Sequence, residues 1–217
     1  MNQQCVDLLG LLPDRPSRQE LTDWIRNRAG SNNNGYFKTA VEGAMRLQQV
    51  PEEYSGLAEL VLGLAPRTYL EVGIGNGGSW LTMSYLNRST LESSHAVDNL
   101  SYGFAGQSHD EVLFIRDYLS GLIPDVRFYH QDSSSFFEHC RNSYDAIFID
   151  GDHSYMGVRN DYTDAIRLAN PGGIMIFHDV NSQAAPGVSH FWGEVKTNHR
   201  HVEIIHSETC GIGVIYL

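Results

Sequence analysis

The sequence is poor in cysteine and in positive charge, and both shortages restrict its function. Its three cysteines, Cys5, Cys140 and Cys210, are isolated, and no C-x-x-C pair occurs. We therefore expect neither a disulfide framework nor a thiolate zinc site, and we predict a reducing, cytoplasmic location. Lysine and arginine number 15 against 26 acidic residues, for a net charge of −11. Because nucleic-acid binding needs a basic face, nucleic acid is not an expected partner.

Long apolar runs are also missing. No run approaches the roughly 20 residues that a membrane-spanning helix needs. The first residues, MNQQCVDLLG, lack the basic region and long apolar stretch of a secretory signal. We therefore expect no membrane partner, and the net charge fits a small-molecule substrate and equally fits plain solubility. A chain of 217 residues suits one α/β domain with an appended segment.

Residues 1–55 are predicted to form an N-terminal helical cap on a main domain at 56–217. Ser17 and Glu20 match a capping box that begins a helix, and Gly30 would stop it. Further helices are predicted over 36–50 and from Pro51 onward. This helical segment is a candidate surface for a homodimer.

From Thr68 onward, strand-like and helix-like stretches alternate. The predicted strands are 68–72, 94–98, 126–130, 145–150 and 173–178, and the predicted helices are about 78–88, 108–121, 133–141 and 154–169. A short helix follows over 187–197, and two strands over 201–207 and 210–217 should form an antiparallel hairpin at the sheet edge. The predicted fold is an α/β, Rossmann-like, doubly wound and mostly parallel seven-stranded sheet.

The stretch YLEVGIGNGGSW, residues 69–80, matches the patterns of two cofactor classes. Gly73, Gly75 and Gly78 satisfy the dinucleotide pattern G-x-G-x-x-G, while residues 71–77 satisfy the methyltransferase pattern E-x-G-x-G-x-G. Asp98, at the end of the second strand, is placed to bind ribose hydroxyls of either cofactor. The first two strands therefore leave the cofactor open.

Three other features favour a methyltransferase over an NAD-dependent oxidoreductase, which remains an alternative. Glu71 lies inside the first strand, where a buried carboxylate needs a cationic ligand or organised backbone donors. Asp132 and Ser133 follow the third strand, where a carboxylate can accept from an adenine amine. The chain also has little room for the second catalytic domain of a dehydrogenase.

Acids and histidines follow the fourth and fifth strands. Adjacent parallel strands should bring the ends bearing Asp150, His153, His178 and Asp179 close together. Asp150 and Asp179 are candidate Mg²⁺ ligands. His178 is either a third ligand, which would favour Mn²⁺ or Fe²⁺, or a core histidine. His153 is a candidate general base, and Asp152 is expected to cap the helix that starts near Ser154.

The stretches LEVGIGNGGS, FIDGDHSYMGV, PGGIMIFHDV and GIGVIYL resemble the class I S-adenosylmethionine-dependent methyltransferases. Within that class they resemble the branch of macrocin-type and other sugar O-methyltransferases and cephalosporin-hydroxylase-like proteins, over residues 56–217. The resemblance implies that Glu71, Asp98 and the glycine loop through Gly73, Gly75, Gly77 and Ser79 bind S-adenosylmethionine. It also implies that Asp150, His178 and Asp179 hold Mg²⁺ and that His153 is the base. The His178–Asp179 pair departs from the two acids, or Asp-Asn, of metal-dependent members.

The predicted reaction is metal-assisted transfer of a methyl group to a hydroxyl of a sugar, phenol or natural product. A metal-dependent hydroxylase or hydrolase on the same fold, with His153, His178 and Asp179 as iron or zinc ligands, is one alternative. A non-catalytic partner subunit is another. Tyr102 and Phe104 belong either to a lid over the acceptor or to an ordinary loop.

Overall fold

The computed structural model describes residues 16–29, 49–101, 109–206 and 210–217. Within them there are seven α-helices: α1 (Arg18–Ala29), α2 (Pro51–Leu64), α3 (Gly78–Leu86), α4 (His109–Ser120), α5 (Ser133–His139), α6 (Tyr155–Ala165) and α7 (Pro186–Val195). The strands are β1 (Thr68–Val72), β2 (Ser93–Asp98), β3 (Asp125–His130), β4 (Tyr144–Ile149), β5 (Ala169–His178), β6 (Arg200–Ile204) and β7 (Ile212–Tyr216). Short 3₁₀ turns follow α6 and α7. No helix among these residues is long and apolar enough to cross a membrane.

The seven strands form one sheet in the order β3-β2-β1-β4-β5-β7-β6. Strands β1 to β5 run parallel, and β7 is antiparallel to both β5 and β6. This arrangement confirms the predicted fold class and the C-terminal hairpin at the edge. Strand order reverses beside β1, which pairs with both β2 and β4. In such sheets the crevice beyond the carboxyl ends at that point receives the ligand.

Apolar cores cover both faces of the sheet, which is why its central strands are nearly continuous apolar runs. One core contains Trp80, Phe148 and Ile176, and the other contains Phe137 and Phe177. Alternate residues of β4 and β5 therefore go to opposite cores, while Asp150, just after β4, and His178, the last residue of β5, reach the crevice.

The capping box is present at the start of α1. The Glu20 backbone N–H donates to the Ser17 hydroxyl at 3.3 Å, and the Ser17 backbone N–H donates to the Glu20 carboxylate at 2.8 Å. Helix α2 runs continuously across the predicted division at residues 55 and 56, and its buried residues join the main core. The two-part division stays a prediction. The predicted helix over 36–50 lies almost wholly outside the described residues, as do Tyr102 and Phe104.

Gly213 of β7 provides the space for the indole of Trp192. A Cβ atom at Gly213 would lie 2.7 Å from the ring. The ring cannot shift easily, because its Nε1–H donates to the Glu203 carboxylate at 2.6 Å. We therefore expect Gly213→Ala to lower the free energy of unfolding by about 1–3 kcal/mol, as overpacked cores do. Urea denaturation followed by circular dichroism measures the change.

Gly63→Ala is the matched control. A Cβ atom there meets nothing within 4 Å, and the residue lies in α2. Alanine reduces the entropy of the unfolded chain, so we expect a gain of about 0.4–1 kcal/mol. Equal effects of the two substitutions would contradict the packing assigned to Gly213.

Candidate active site

The loop between β1 and α3 depends on glycine because it touches the loop that follows β4. Gly73 has a φ of +79°, and a Cβ atom there would lie 2.3 Å from the Asp150 carbonyl oxygen. Gly77 has a φ of +83° and is the N-cap residue of α3, and a Cβ atom there would lie 2.6 Å from the Ile115 side chain. Only glycine combines this backbone conformation with this close approach.

Asp98, at the end of β2, supports the glycine loop from beneath. Its carboxylate accepts hydrogen bonds from the backbone N–H groups of Ile74 at 2.9 Å, Gly75 at 3.1 Å and Leu100 at 2.6 Å. Each carboxylate oxygen has two acceptor sites, so the group can still accept from a ligand. Asp98 thus both shapes the loop and faces the space above it.

A cavity of about 720 Å³ opens at the carboxyl ends of the central strands. Its lining includes ten of the residues singled out from the sequence: Gly73, Gly75, Ser79, Asp98, Asp132, Ser133, Asp150, His153, His178 and Asp179. Glu71 and Gly77, within the described part of the chain, lie outside that lining. The cavity is within the size range of small-molecule sites.

Glu71 is fully buried beneath the cavity. Its carboxylate accepts hydrogen bonds from the Tyr69 hydroxyl at 2.5 Å and from the Ser79 hydroxyl. Burial raises the pKa of Glu71 to about 8, although these two hydroxyls favour the charged form. The donors that Glu71 requires are thus side-chain hydroxyls, rather than the cationic ligand or backbone donors expected from the sequence. Ser79, which also lines the cavity, links Glu71 to it.

Two carboxylates and two imidazoles meet beyond β4 and β5. Asp150 Oδ1 lies 3.2 Å from His178 Nδ1 and 3.6 Å from His153 Nε2. Asp179 Oδ2 lies 3.3 Å from the same His178 atom and 3.6 Å from the same His153 atom. Asp179 has a φ of +61°, a left-handed conformation that aspartate tolerates better than most residues. We call these four residues the acid–histidine cluster.

The charges in this cluster stabilise one another. Burial disfavours a charged His178, but Asp150 outweighs it and raises the pKa of His178 well above its ordinary value. Burial likewise opposes ionisation of Asp150, yet His178 and His153 hold the pKa of Asp150 below its usual range. The hydrogen bond to Asp150 raises the pKa of the more exposed His153. The Asp150 carboxylate is therefore ionised and can hold a cation or a protonated imidazole.

The cluster has the donors of a divalent metal site. It offers carboxylate oxygens and imidazole nitrogens, a mixture that suits Mn²⁺ or Fe²⁺ better than Mg²⁺. Nε2 of the buried His178 has no hydrogen-bond partner among the described residues, so it is available to a ligand. The side chains present therefore fit a metal ion.

The structure adds site residues that sequence reasoning missed. The Gln49 amide donates to Asp150 Oδ2 at 3.1 Å, and the Asn99 amide donates to the Asp132 carboxylate at 2.7 Å. Asp161 accepts from the Ser133 hydroxyl at 2.6 Å. Asp161 could have been found, because it is an acid on the otherwise apolar stripe of α6. No sequence signal marks Gln49.

Helix α6 has a different cap from the expected one. Ser154 is the N-cap residue and accepts from the Gly157 backbone N–H at 3.0 Å. Asp152, the expected cap, instead accepts from the Ser154 backbone N–H at 2.8 Å. Asp152 thus stabilises the turn that precedes the helix.

Residues 70–180 match the family model of a methyltransferase domain, which is about half of the chain. The chain belongs to this methyltransferase family. The glycine loop and the acid–histidine cluster both lie within the matched residues. The predicted membership of a methyltransferase family is thereby confirmed, and the dehydrogenase alternative is not supported.

One curated relative and several solved structures are similar to this methyltransferase. An uncharacterized protein of Acanthamoeba polyphaga mimivirus is 29% identical over 116 residues, which are 52% of this chain and 51% of that protein. The chain thus spans about half the length of that relative.

Among solved structures, cofactor-bound Rv0187 from MTB has a TM-score of 0.62 at 13% identity, covering 93% of this chain and 98% of that one. An O-methyltransferase from Bacillus cereus in complex with SAH has a TM-score of 0.53 at 18% identity, over 100% and 96%. The O-methyltransferase TomG from Streptomyces achromogenes, in complex with SAM, has a TM-score of 0.54 at 13% identity, over 80% and 82%. At these identities the likeness shows a shared fold.

The raised pKa of Glu71 predicts a pH-dependent effect of Glu71→Gln. The folded protein holds a proton on Glu71 up to about pH 8, whereas the unfolded chain releases it near the ordinary value of 4.5. Between these values the free energy of unfolding of the wild type loses up to about 1.4 kcal/mol per pH unit from this group. The variant lacks that loss, so its stability relative to wild type should rise from pH 5 to pH 8. Urea denaturation across that range measures the difference.

Glu138→Gln, at an exposed position of α5, is the control and should show no such trend. A stability difference between Glu71→Gln and wild type that stays constant with pH would contradict the buried, protonated state assigned to Glu71.

Proposed function

We propose that this methyltransferase moves the methyl group of S-adenosylmethionine to a hydroxyl oxygen of a small molecule in the cytoplasm. The observation that carries the proposal is a single cavity with the glycine loop and Asp98 on one side and the acid–histidine cluster on the other. Sugars, phenols and hydroxylated natural products are the proposed acceptors. The similar O-methyltransferase structures of TomG, in complex with SAM, and from Bacillus cereus, in complex with SAH, support the cofactor.

The cofactor would lie along the carboxyl ends of β1, β2 and β3. Asp98 would accept from the ribose hydroxyls, and Asp132 and Ser133 would lie beside the adenine. The glycine loop allows the backbone to approach the ligand closely. The ionised Asp150 carboxylate would face the positively charged sulfonium end, which it attracts.

His153 is the proposed base. Its side chain is 45% exposed, so it can reach an incoming acceptor, and its Nε2 faces both Asp150 and Asp179. Since Nε2–H points to the two carboxylates, His153 would take the proton of the acceptor hydroxyl on Nδ1 while the oxygen attacks the methyl carbon in line with the departing sulfur. Asp150 would hold the imidazole in position and stabilise its positive charge.

Asp150, His178 and Asp179 would hold a divalent metal ion. When bound, such an ion lowers the pKa of a hydroxyl that it coordinates and orients its oxygen. Asp150 and Asp179 also lie beside Nε2 of His153, so both carboxylates would stabilise the imidazole when it takes up the proton.

We expect wild-type protein to bind SAH and Asp98→Asn to bind it at least about ten-fold more weakly. The reason is that a hydrogen bond to a charged group contributes about 1.5–3 kcal/mol, and 1.4 kcal/mol is ten-fold in affinity. Isothermal titration calorimetry with SAH alone measures both.

The control is Asp117→Asn, an exposed aspartate of α4 that pairs with Arg116, and it should leave affinity unchanged. Failure of the wild type to bind SAH at high micromolar concentration would contradict the proposal and favour a metal-dependent hydroxylase or hydrolase.

His153→Ala should lower kcat by about 10²–10⁴-fold, the usual contribution of a general base. SAH affinity should change little, because the proposed contacts of the cofactor are made by other residues. Methyl transfer from isotopically labelled S-adenosylmethionine, on an acceptor that the wild type methylates, measures kcat.

His190→Ala is the matched control, since His190 is exposed on α7 and pairs with Glu194. Undiminished turnover by His153→Ala would remove His153 from the mechanism.

A further inference from the structure

The ring of His178 is held in the way that metal-bound imidazoles are held. Its Nδ1 lies between Asp150 and Asp179, at 3.2 and 3.3 Å, and the side chain is only 7% exposed. Its other nitrogen, Nε2, makes no hydrogen bond within the described residues. A histidine that ligates a metal through one nitrogen usually donates the other N–H to a carboxylate. The unpaired Nε2 is therefore the atom expected to bind a ligand.

A thiol lies next to this ring. His178, Asp179 and Cys210 each offer a ligand atom, and the three atoms lie within 4.8 Å of one another. Cys210 is half-buried and lines the same cavity as the two other residues. A nitrogen, an oxygen and a sulfur thus lie close together at the wall of the cavity.

Hydrogen bonds hold the backbone on both sides of Cys210 to other parts of the protein. The Cys210 carbonyl accepts from the Asn181 backbone N–H at 2.8 Å. The carboxylate of the fully buried Glu53 accepts from the backbone N–H groups of Gly211 and His206, both at 2.9 Å. Glu53 belongs to α2, so this helix determines where the thiol lies.

We propose that His178, Asp179 and Cys210 bind a divalent transition metal of the Zn²⁺ and Fe²⁺ class, rather than Mg²⁺. Thiolate and imidazole ligands select such metals, whereas Mg²⁺ prefers oxygen. Three protein ligands leave a coordination position for water or substrate, as in catalytic zinc sites. This ligand set revises the one under the proposed function: Cys210 takes the ligand place of Asp150, and Asp150 is a positioning residue that orients His178. The inference goes beyond the proposed function, because it concerns what these three side chains bind whether or not methyl transfer occurs.

Cobalt titration of the full-length, chelator-treated protein tests the site. Co²⁺ substitutes for Zn²⁺ and, when bound to thiolate, gives a charge-transfer absorption band in the near ultraviolet. We expect this band in the wild type at stoichiometric Co²⁺, with Zn²⁺ displacing Co²⁺ and excess Mg²⁺ having no effect.

Cys210→Ser should abolish the band, while Cys140→Ser and Cys5→Ser, the matched controls, should retain it. Asp150→Asn should weaken Co²⁺ binding by about 10–100-fold, as loss of a partner of a metal-bound histidine does.

A second measurement does not depend on the folding of any variant. In the wild type, Zn²⁺ should slow alkylation of Cys210 by iodoacetamide, and should leave Cys140 unaffected, as read by peptide mass spectrometry. Absence of the cobalt band, its survival in Cys210→Ser, or equal alkylation of Cys210 with and without Zn²⁺ would overturn the site. SAH calorimetry on the same samples separates the two proposals, because retained SAH binding without a metal signal rejects the metal site alone.

Discussion

The contact between the end of β1 and the end of β4 is the constraint on which the site depends. The Asp150 backbone N–H donates to the Val72 carbonyl at 2.8 Å, and the Gly73 N–H donates to the Val97 carbonyl at 2.9 Å. These bonds extend the sheet ladder past the strand ends, so the glycine loop and the first residue of the acid–histidine cluster are direct neighbours. Because Gly73 has no side chain, the two loops can touch, and ligands on each can meet in one cavity.

Two buried acids of this site are stabilised in different ways. Glu71 is surrounded by apolar residues and two hydroxyls, so burial dominates and raises its pKa to about 8. Asp150 lies beside two imidazoles, which outweigh burial and keep it ionised. The difference follows from their neighbours: hydroxyls can share a proton with a carboxylate, whereas imidazolium groups supply a compensating charge. The protein thereby has a protonated Glu71 beneath the glycine loop and an ionised Asp150 where methyl transfer is proposed.

Much of the fold was predictable because its signals are local. Runs of apolar residues and their spacing located β1 to β5 and the helices between them, with ends differing by a few residues. Period-two alternation also places Tyr69 and Glu71 on one face of β1, so the sequence contained the partner of Glu71. A ligand was the expected partner because strand ends in such sheets face the ligand crevice, and that expectation overlooked Tyr69. Asp161 was missed for a similar reason, as an acid within a stripe treated as apolar.

The sequence by itself determined the sheet, the helices that cover it and the residues at the strand ends, because these depend on neighbours along the chain and on the rule that parallel strands end at one edge. Only the tertiary structure decided which distant residues complete the site. Gln49 donates to Asp150, and Glu53 holds the backbone beside Cys210. These pairs are 101 and 158 residues apart in the chain, and they meet because α2 packs across the sheet. Such contacts arise from the packing of whole elements, which no local pattern encodes.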